Sequence, residues 1–385
     1  MQRSEKNPPA KALYSQILDE VRRRILSGEL PLGARLPTEM EMAQQYRSSR
    51  GTVRQALSVL VNEGLLERIQ GSGTFVRQSP LVAGTRTPQP QQAQKSIGLI
   101  LCRVGGELDM HILLGAEQAA KPRGYQLSFA YTEENAQQLA VDIARLRAST
   151  AGLIIFPISD TPHDATLAQL KADNFPFVLV DRYIPDLDCD YVVSDNIGGA
   201  YRATEHLLIL GHTRIGFMYS DQGSLLTTSV RDRWEGYRKA LREYNLPYDE
   251  TLVYHNVPVP APEPPNVYDE IVTSPQRPDA FFTVNDPTAL ALFQATQRHN
   301  IRVPEDLAIV GFDNESFSAL LSTPLTTVVQ QRVELGMRAA TLLINRIEGQ
   351  VVGPSRHIEL PTNLIIRQSC GARLRILSAA PTGEV

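Results

Sequence analysis

Between residues 96 and 371 the chain alternates short apolar runs with longer segments of helical periodicity. No other feature restricts the fold as much. The runs fall at 97–102, 152–156, 177–180, 215–219, 280–284 and 307–312. Segments 113–121, 135–147, 197–210 and 232–244 lie among them and read as helices. A strand, a helix and another strand in succession build a parallel sheet through right-handed crossovers. About 275 residues exceed what one doubly wound unit needs, so two lobes are expected. The expected fold class is α/β, with two parallel doubly wound sheets in this part of the chain.

The first 77 residues follow a different pattern. Apolar residues at Leu13, Ile17, Leu18, Val21, Ile25 and Leu26 have helical spacing, and Gly28 sits where a helix would stop. Thr38 opens a capping box with Glu41, which starts a short second helix. Ser49 is a natural N-cap for a third helix that carries Arg50 and Arg54 and buries Val53, Ala56, Leu57 and Leu60. Two short strands joined by Gly71, Ser72 and Gly73 follow. Three helices and a two-stranded ribbon describe a winged helix-turn-helix. Gly51, Arg54, Gln55 and Ser58 point away from the buried stripe, and Arg50 lies at its edge. Recognition helices read bases with their N-terminal residues, and arginine suits guanine. Ser49 and Thr52 are placed to donate to phosphates at the helix N-terminus. A lone arginine more often pairs with a surface carboxylate; the ordered run of capped turn, arginine helix and Gly-tipped hairpin favours DNA. Charge agrees weakly. Residues 1–80 hold 12 basic and 8 acidic residues, a balance of +4, against 26 and 34, a balance of −8, in the remainder.

The stretch "LPTEMEMAQQYRSSRGTVRQALSVLVNEGLLERIQGSGTFV" resembles the DNA-binding domain of GntR-family transcription regulators, over about residues 11–77. The resemblance implies that Arg50 and Arg54 contact bases and that Thr52 takes a phosphate. It puts Glu39 near the groove, in reach of a cytosine amine, and brings Gln70 and Gly71 to the minor groove at the wing tip. Gly51 departs from the bulkier residue expected there.

Residues 78–95 are rich in Pro, Gln and Thr and read as a flexible linker. Beyond it, polar residues collect where apolar runs end. Asp181 follows "FVLV", Asn285 and Asp286 follow "FFTV", Asp313 follows "AIVGF", and Arg103 follows "IGLILC". In open parallel sheets ligands bind outside the carboxyl ends of strands. Asp181, Asn285 and Asp313 therefore point to a ligand crevice, whereas Asp286, before Pro287, reads as a helix cap. Carboxylates and guanidinium groups together suit polyhydroxyl ligands.

Residues 96–371 resemble the effector-binding domain of LacI/GalR-family regulators, which is related to periplasmic sugar-binding proteins. The motifs are "VVSDNIGGAYRATEHLLILGHTRIGF", "RDRWEGYRKAL", "VNDPTALAL" and "RVPEDLAIVGFDN". The resemblance implies ligand contacts from Asp181, Arg233, Asn285 and Asp313, with Arg231 bracing Arg233. Gln330 in a lobe-crossing segment and Arg103, with Glu107 and Asp109 nearby, are further candidates. The proline-rich stretch 257–267 reads as a surface loop, and 372–385 as a tail. A GntR-type reader joined to a LacI-type sensor resembles the arabinose-responsive repressors. The implied function is a cytoplasmic, homodimeric repressor, released from double-stranded operator DNA by a small sugar such as L-arabinose. A purine or amino-acid effector is the alternative.

Other classes are disfavoured. No phosphate-cradling glycine motif opens a helix, so a nucleotide enzyme is not expected, nor a catalytic residue or cofactor. The seven histidines form no metal-spaced pair. Cys102, Cys189 and Cys370 lie far apart and read as buried thiols. The amino terminus has no signal-peptide pattern, and no apolar stretch reaches membrane length.

Overall fold

A computed structural model describes residues 17–18, 20–25, 29–31, 33–62, 65–69, 73–76, 95–102, 106–158, 165–219, 227–255, 257–259 and 263–372. The expected sites at Gln70, Gly71 and Arg103 and almost all of the tail and the linker lie outside them. Two compact units divide between Gln92 and Ala93.

In the first unit, helix α1 (described at 17–18 and 20–25) precedes α2 (Glu39–Gln45) and α3 (Arg50–Asn62). Thr38 and Glu41 form the expected capping box, which fixes where α2 begins. The stripe Val53, Ala56, Leu57 and Leu60 is fully buried against Ile17, Val21, Leu36 and Met42. Each such leucine contributes about 1.5–3 kcal/mol by leaving water. Strands β1 (Leu66–Ile69) and β2 (Gly73–Val76) pair antiparallel as the wing. Arg35 bridges to Phe75, so the segment before α2 adds a short third strand.

The second unit has two lobes, each built on a six-stranded sheet. The first lobe contains β3 (Ser96–Leu101), α4 (Glu107–Ala120), β4 (Gln126–Tyr131), α5 (Ala136–Arg147), β5 (Leu153–Ile155), α6 (Ala165–Ala172), β6 (Phe177–Val180) and β7 (Asp190–Ser194). The chain then crosses to the second lobe. There it forms α7 (Asn196–Ile209), β8 (Ile215–Met218), α8 (Thr228–Glu243), β9 (Val253–Tyr254), α9 (Val267–Thr273), β10 (Ala280–Thr283), α10 (Asp286–Arg298), β11 (Ala308–Asp313) and β12 (Thr326–Val329). It returns for α11 (Arg332–Ile347) and β13 (His357–Leu360), and crosses once more to β14 (Asn363–Ile365). The strand orders are β13-β7-β6-β5-β3-β4 and β14-β12-β11-β10-β8-β9. Every pairing in these two sheets is parallel except β12 with β14. Both lobes thus repeat one doubly wound pattern, with the order reversing beside β3 and β8.

The three crossings are tied to one another. Ser194 Oγ donates to Gln330 Oε1 at 2.6 Å, Thr362 Oγ1 donates to the Asp195 carbonyl at 3.1 Å, and Gln331 Nε2 donates to the Pro361 carbonyl at 3.0 Å. The lobes also touch at two margins. Tyr183 of the first lobe exchanges backbone hydrogen bonds with the Thr228 hydroxyl, and Glu107 accepts from the Ser316 amide and hydroxyl.

Some expectations are corrected. Helix α4 starts at Glu107 rather than near 113, because Gly106 caps it without a side chain and the usual signal is missing. The 257–267 stretch is exposed at 263–265, as a surface loop would be, but is anchored at both ends. Val257 is buried in the core, and Asn266 caps α9 in a capping box with Asp269. The three cysteines are free and buried, as expected. Among the described residues no helix is long and apolar enough to cross a membrane, and no cluster of His, Cys, Asp and Glu is arranged to hold a metal.

Candidate functional sites: a basic helix face and an interlobe cleft

On α3, Ser49 Oγ accepts from the Thr52 amide at 3.1 Å and lies 2.9 Å from Thr52 Oγ1. Ser49 is therefore the N-cap, satisfying the Thr52 amide of the first turn. Arg50 is exposed in that turn. Arg54 is also exposed, but its guanidinium is engaged. Nε and Nη2 sit 2.9 and 2.8 Å from Glu39 Oε2, and Arg68 of β1 approaches Glu39 Oε1 at 3.3 Å. The Arg54 hydrogen bond, and then its charge and that of Arg68, hold the Glu39 carboxyl below its ordinary pKa. The structure thus brings Glu39, Ser49, Arg50, Thr52 and Arg54 onto one face. It also adds Arg68, which no helical period could reveal.

Between the lobes, Asp181 follows β6 and Asp313 ends β11, and both are held at positive φ, 68° and 110°. Left-handed backbone at non-glycine residues costs about 1–3 kcal/mol and concentrates at functional sites. Arg233 of α8 is buried over the Phe312 ring, its guanidinium carbon 3.7 Å from the centroid. Its Nε donates to Asn196 Oδ1 at 2.9 Å and its Nη1 to the Val284 carbonyl at 2.6 Å. Nη2 lies 3.5 Å from Asp313 Oδ1, which also accepts from Gln330 Nε2 at 2.6 Å. Burial raises the pKa of both Asp181 and Asp313. Arg182 and Arg233 oppose the rise at Asp181, and Arg233 and Arg332 oppose it at Asp313. Gly236 lets α8 approach this closely, since a Cβ there would meet the Ile197 carbonyl at 2.3 Å.

Three placements differ from expectation. Asn285, not Asp286, caps α10, with its Oδ1 accepting from the Thr288 amide at 3.0 Å and hydroxyl at 2.7 Å. Asp286 is the first helical residue and is wholly buried. It accepts from Ser318 Oγ at 2.5 Å, Thr327 Oγ1 at 2.6 Å and the Glu315 amide at 2.9 Å. Burial, with Asp313 nearby, pushes its pKa up to about 7. Arg231, the expected brace of Arg233, donates to the Tyr183 hydroxyl at 3.0 Å, whereas Asn196 braces Arg233.

Arg332 was not anticipated. It opens α11, is buried, and bonds the Asp313 carbonyl. Glu107 and Glu315 lie 3.3 and 3.4 Å from its guanidinium. Its position just after a crossing was the one available signal. Asp109 is buried and accepts from the Cys102 amide at 3.1 Å, an internal role.

Comparison with known proteins gives the family of each part of the chain. The "Bacterial regulatory proteins, gntR family" profile matches residues 13–76, and the "Periplasmic binding protein-like domain" matches 204–370. An arabinose metabolism transcriptional repressor of Geobacillus stearothermophilus is 33% identical over 92% of this chain and 97% of its own. The chain belongs to the transcription regulators that join a GntR-type reader to a LacI-type effector domain. A second arabinose metabolism transcriptional repressor, from Halalkalibacterium halodurans, is 30% identical over 87% of this regulator and 89% of its own length. A LacI family regulator from Enterococcus faecium, solved with bound ribose, superposes with a TM-score of 0.60. It is 25% identical and covers 71% of this regulator and 98% of itself.

Proposed function

We propose that this regulator is a cytoplasmic, homodimeric repressor that leaves its operator when L-arabinose or a related free pentose binds between the lobes. One observation carries the reading: carboxylates from both lobes, Asp181 and Asp313, are enclosed beside Arg233, with Gln330 and the Asn285 amide at hand. The arginine charge is already answered by Asp313 and by Val284 and Asn196 oxygens. A phosphate or carboxylate ligand would therefore meet two acidic groups beside an arginine whose charge is already answered. A neutral polyol finds acceptors and donors in alternation. The names of the two arabinose repressors and the ribose-bound relative support the same class.

In this reading Arg50, Arg54 and Glu39 face base edges, and Ser49 and Thr52 face phosphates. Paired readers on a dimer engage two half-sites. The pentose releases DNA only if it binds the DNA-incompetent arrangement more tightly. A coupling of about 1–3 kcal/mol changes operator affinity about 5–150-fold.

A thermal-shift screen of pentoses, hexoses, purines and amino acids, followed by calorimetry on Asp313→Asn, tests the proposal. A pentose should raise the unfolding temperature, and Asp313→Asn should weaken its binding at least about tenfold while apo-protein DNA binding stays intact. A response to a purine alone, or unchanged pentose affinity in the variant, would overturn the assignment.

A further inference from the structure

Arg54 uses only one edge of its guanidinium within the protein. A guanidinium offers a side-on edge, made of Nε and one Nη2 hydrogen, and an end-on edge, made of one hydrogen from each Nη. Glu39 occupies the side-on edge: Nε lies 2.9 and 3.2 Å from its two oxygens, and Nη2 lies 2.8 Å from Oε2. The Arg54 side chain nevertheless keeps 63% of its surface exposed, and among the described residues its Nη1 has no partner. The edge left open is the fork that meets guanine O6 and N7.

The carboxylate is itself held from several sides. The capping box of Thr38 fixes the backbone where α2 starts, and Glu39 is the first residue of that helix. Arg68 brings Nη2 to 3.3 Å from Glu39 Oε1 and 3.5 Å from the Arg54 carbonyl, so β1 of the wing grips both residues. Ser58 Oγ donates to the same carbonyl at 2.7 Å. Three elements thus converge on one arginine.

We propose that Glu39 is a positioning residue of the DNA reader: it clamps the side-on edge of Arg54 so that the end-on edge is presented to a guanine, and it locks the wing arginine to the recognition helix. The inference rests on the reading of α3 as the base-contacting helix. An unclamped arginine loses its rotamer freedom on binding, and prior immobilisation avoids that loss. A carboxylate this close to DNA also repels phosphates wherever no guanine compensates. The clamp therefore tightens the specific complex and weakens non-specific ones.

The test uses the full-length protein and a duplex selected by it from a randomised pool. Affinities are measured for that duplex, for each single guanine substitution in it, and for a scrambled duplex. Glu39→Gln should lower the ratio of specific to scrambled affinity about 2- to 12-fold. The loss should fall at the guanine position that Arg54→Ala also relaxes. Glu39→Gln should add nothing in the Arg54→Ala background, and Glu39→Asp, which keeps the charge, should recover part of the ratio. Equal unfolding temperatures of parent and Glu39→Gln keep the comparison valid; if they differ, the Glu39→Asp ratio decides.

Other outcomes overturn the proposal in recognisable ways. A loss at a cytosine position that persists without Arg54 would make Glu39 a direct base reader. Tighter operator binding by Glu39→Gln would make it a blocking group. If Arg54→Ala itself relaxes no position, the assignment of the helix has failed, and not merely the role of Glu39.

Discussion

Arg54 and Arg233 are chemically identical groups used under opposite conditions. Arg54 keeps 63% of its side-chain surface, whereas Arg233 keeps 7%. One carboxylate at the side suffices for Arg54, because water solvates the rest. Arg233 is wrapped by an amide oxygen, a backbone carbonyl, a carboxylate and an aromatic face. The exposed charge is spare and can meet a polyanion, so its work depends on salt. The buried charge is spent inside the fold, and what remains at the cleft is geometry: carboxylate oxygens held at fixed angles. Reading DNA needs the first arrangement, and sorting a small neutral ligand needs the second.

The contrast predicts its largest effect at Arg233. Replacing it by Met would remove a cation that opposes burial at both Asp313 and Asp181, leaving Arg332 and Arg182 to oppose it. Removing one partner of a buried pair costs about 3–5 kcal/mol. Arg233→Met should lower the unfolding temperature of the effector unit by several degrees and abolish effector binding. An unchanged melt would mean that Arg182, Arg332 or water, not Arg233, compensates the carboxylates, and the contrast would break.

Asp286 sharpens the comparison, because it is a buried carboxyl that has no ion-pair partner among the described residues. Its carboxyl titrates at about 7 when folded, against about 3.9 in the unfolded chain. Between those values the folded protein holds a proton that the unfolded chain has released. Stability from this group is therefore full below pH 4, falls as pH rises to 7 and is flat above. The span is at most about 4 kcal/mol. Asp286→Asn cannot titrate, so the stability difference between parent and variant should shift in the variant's favour from pH 5 to 8. Denaturant unfolding at several pH values measures it, and a constant difference would refute the assignment.

Buried and exposed elements also differed in how far the sequence revealed them. The stripe Val53, Ala56, Leu57 and Leu60 announced α3, because a 3.6-residue period has no other use. The run 177–180 announced β6, which is buried on both faces. Strands β4 and β13 were not anticipated, because edge strands expose one face and read as mixed polarity. Strand β12 begins with two threonines whose hydroxyls are buried, one of them on Asp286. At Asn285-Asp286-Pro287 two residues could have capped the helix, and only tertiary contacts chose between them. The same limit hid Arg332 and Arg68. Each works through partners far away in the chain, and periodicity carries no information about those.

A smaller effect is expected at Arg54. Arg54→Lys keeps the charge and loses the fork, so it separates the two properties that exposure provides. Discrimination at one guanine position should fall about 5- to 150-fold, while the slope of affinity against salt stays the same. A changed slope with intact discrimination would move Arg54 from base edge to phosphate.

The smallest effect belongs to Ser49, which lies on the same face but carries no charge. Its hydroxyl caps α3 through the Thr52 amide and shares a hydrogen with the Thr52 hydroxyl. Ser49→Ala removes that cap, which is worth about 0.5–2 kcal/mol to the helix. It also frees the first-turn amide and the Thr52 hydroxyl, which can then only solvate or bind a phosphate. Phosphate contacts position the protein without reading sequence. The variant should thus bind selected and scrambled duplexes with equally reduced affinity and unchanged salt slope, because no cation is lost. Unequal loss between the two duplexes would show that Ser49 sets the angle at which Arg50 and Arg54 enter the groove, and the division of labour on this face would have to be redrawn.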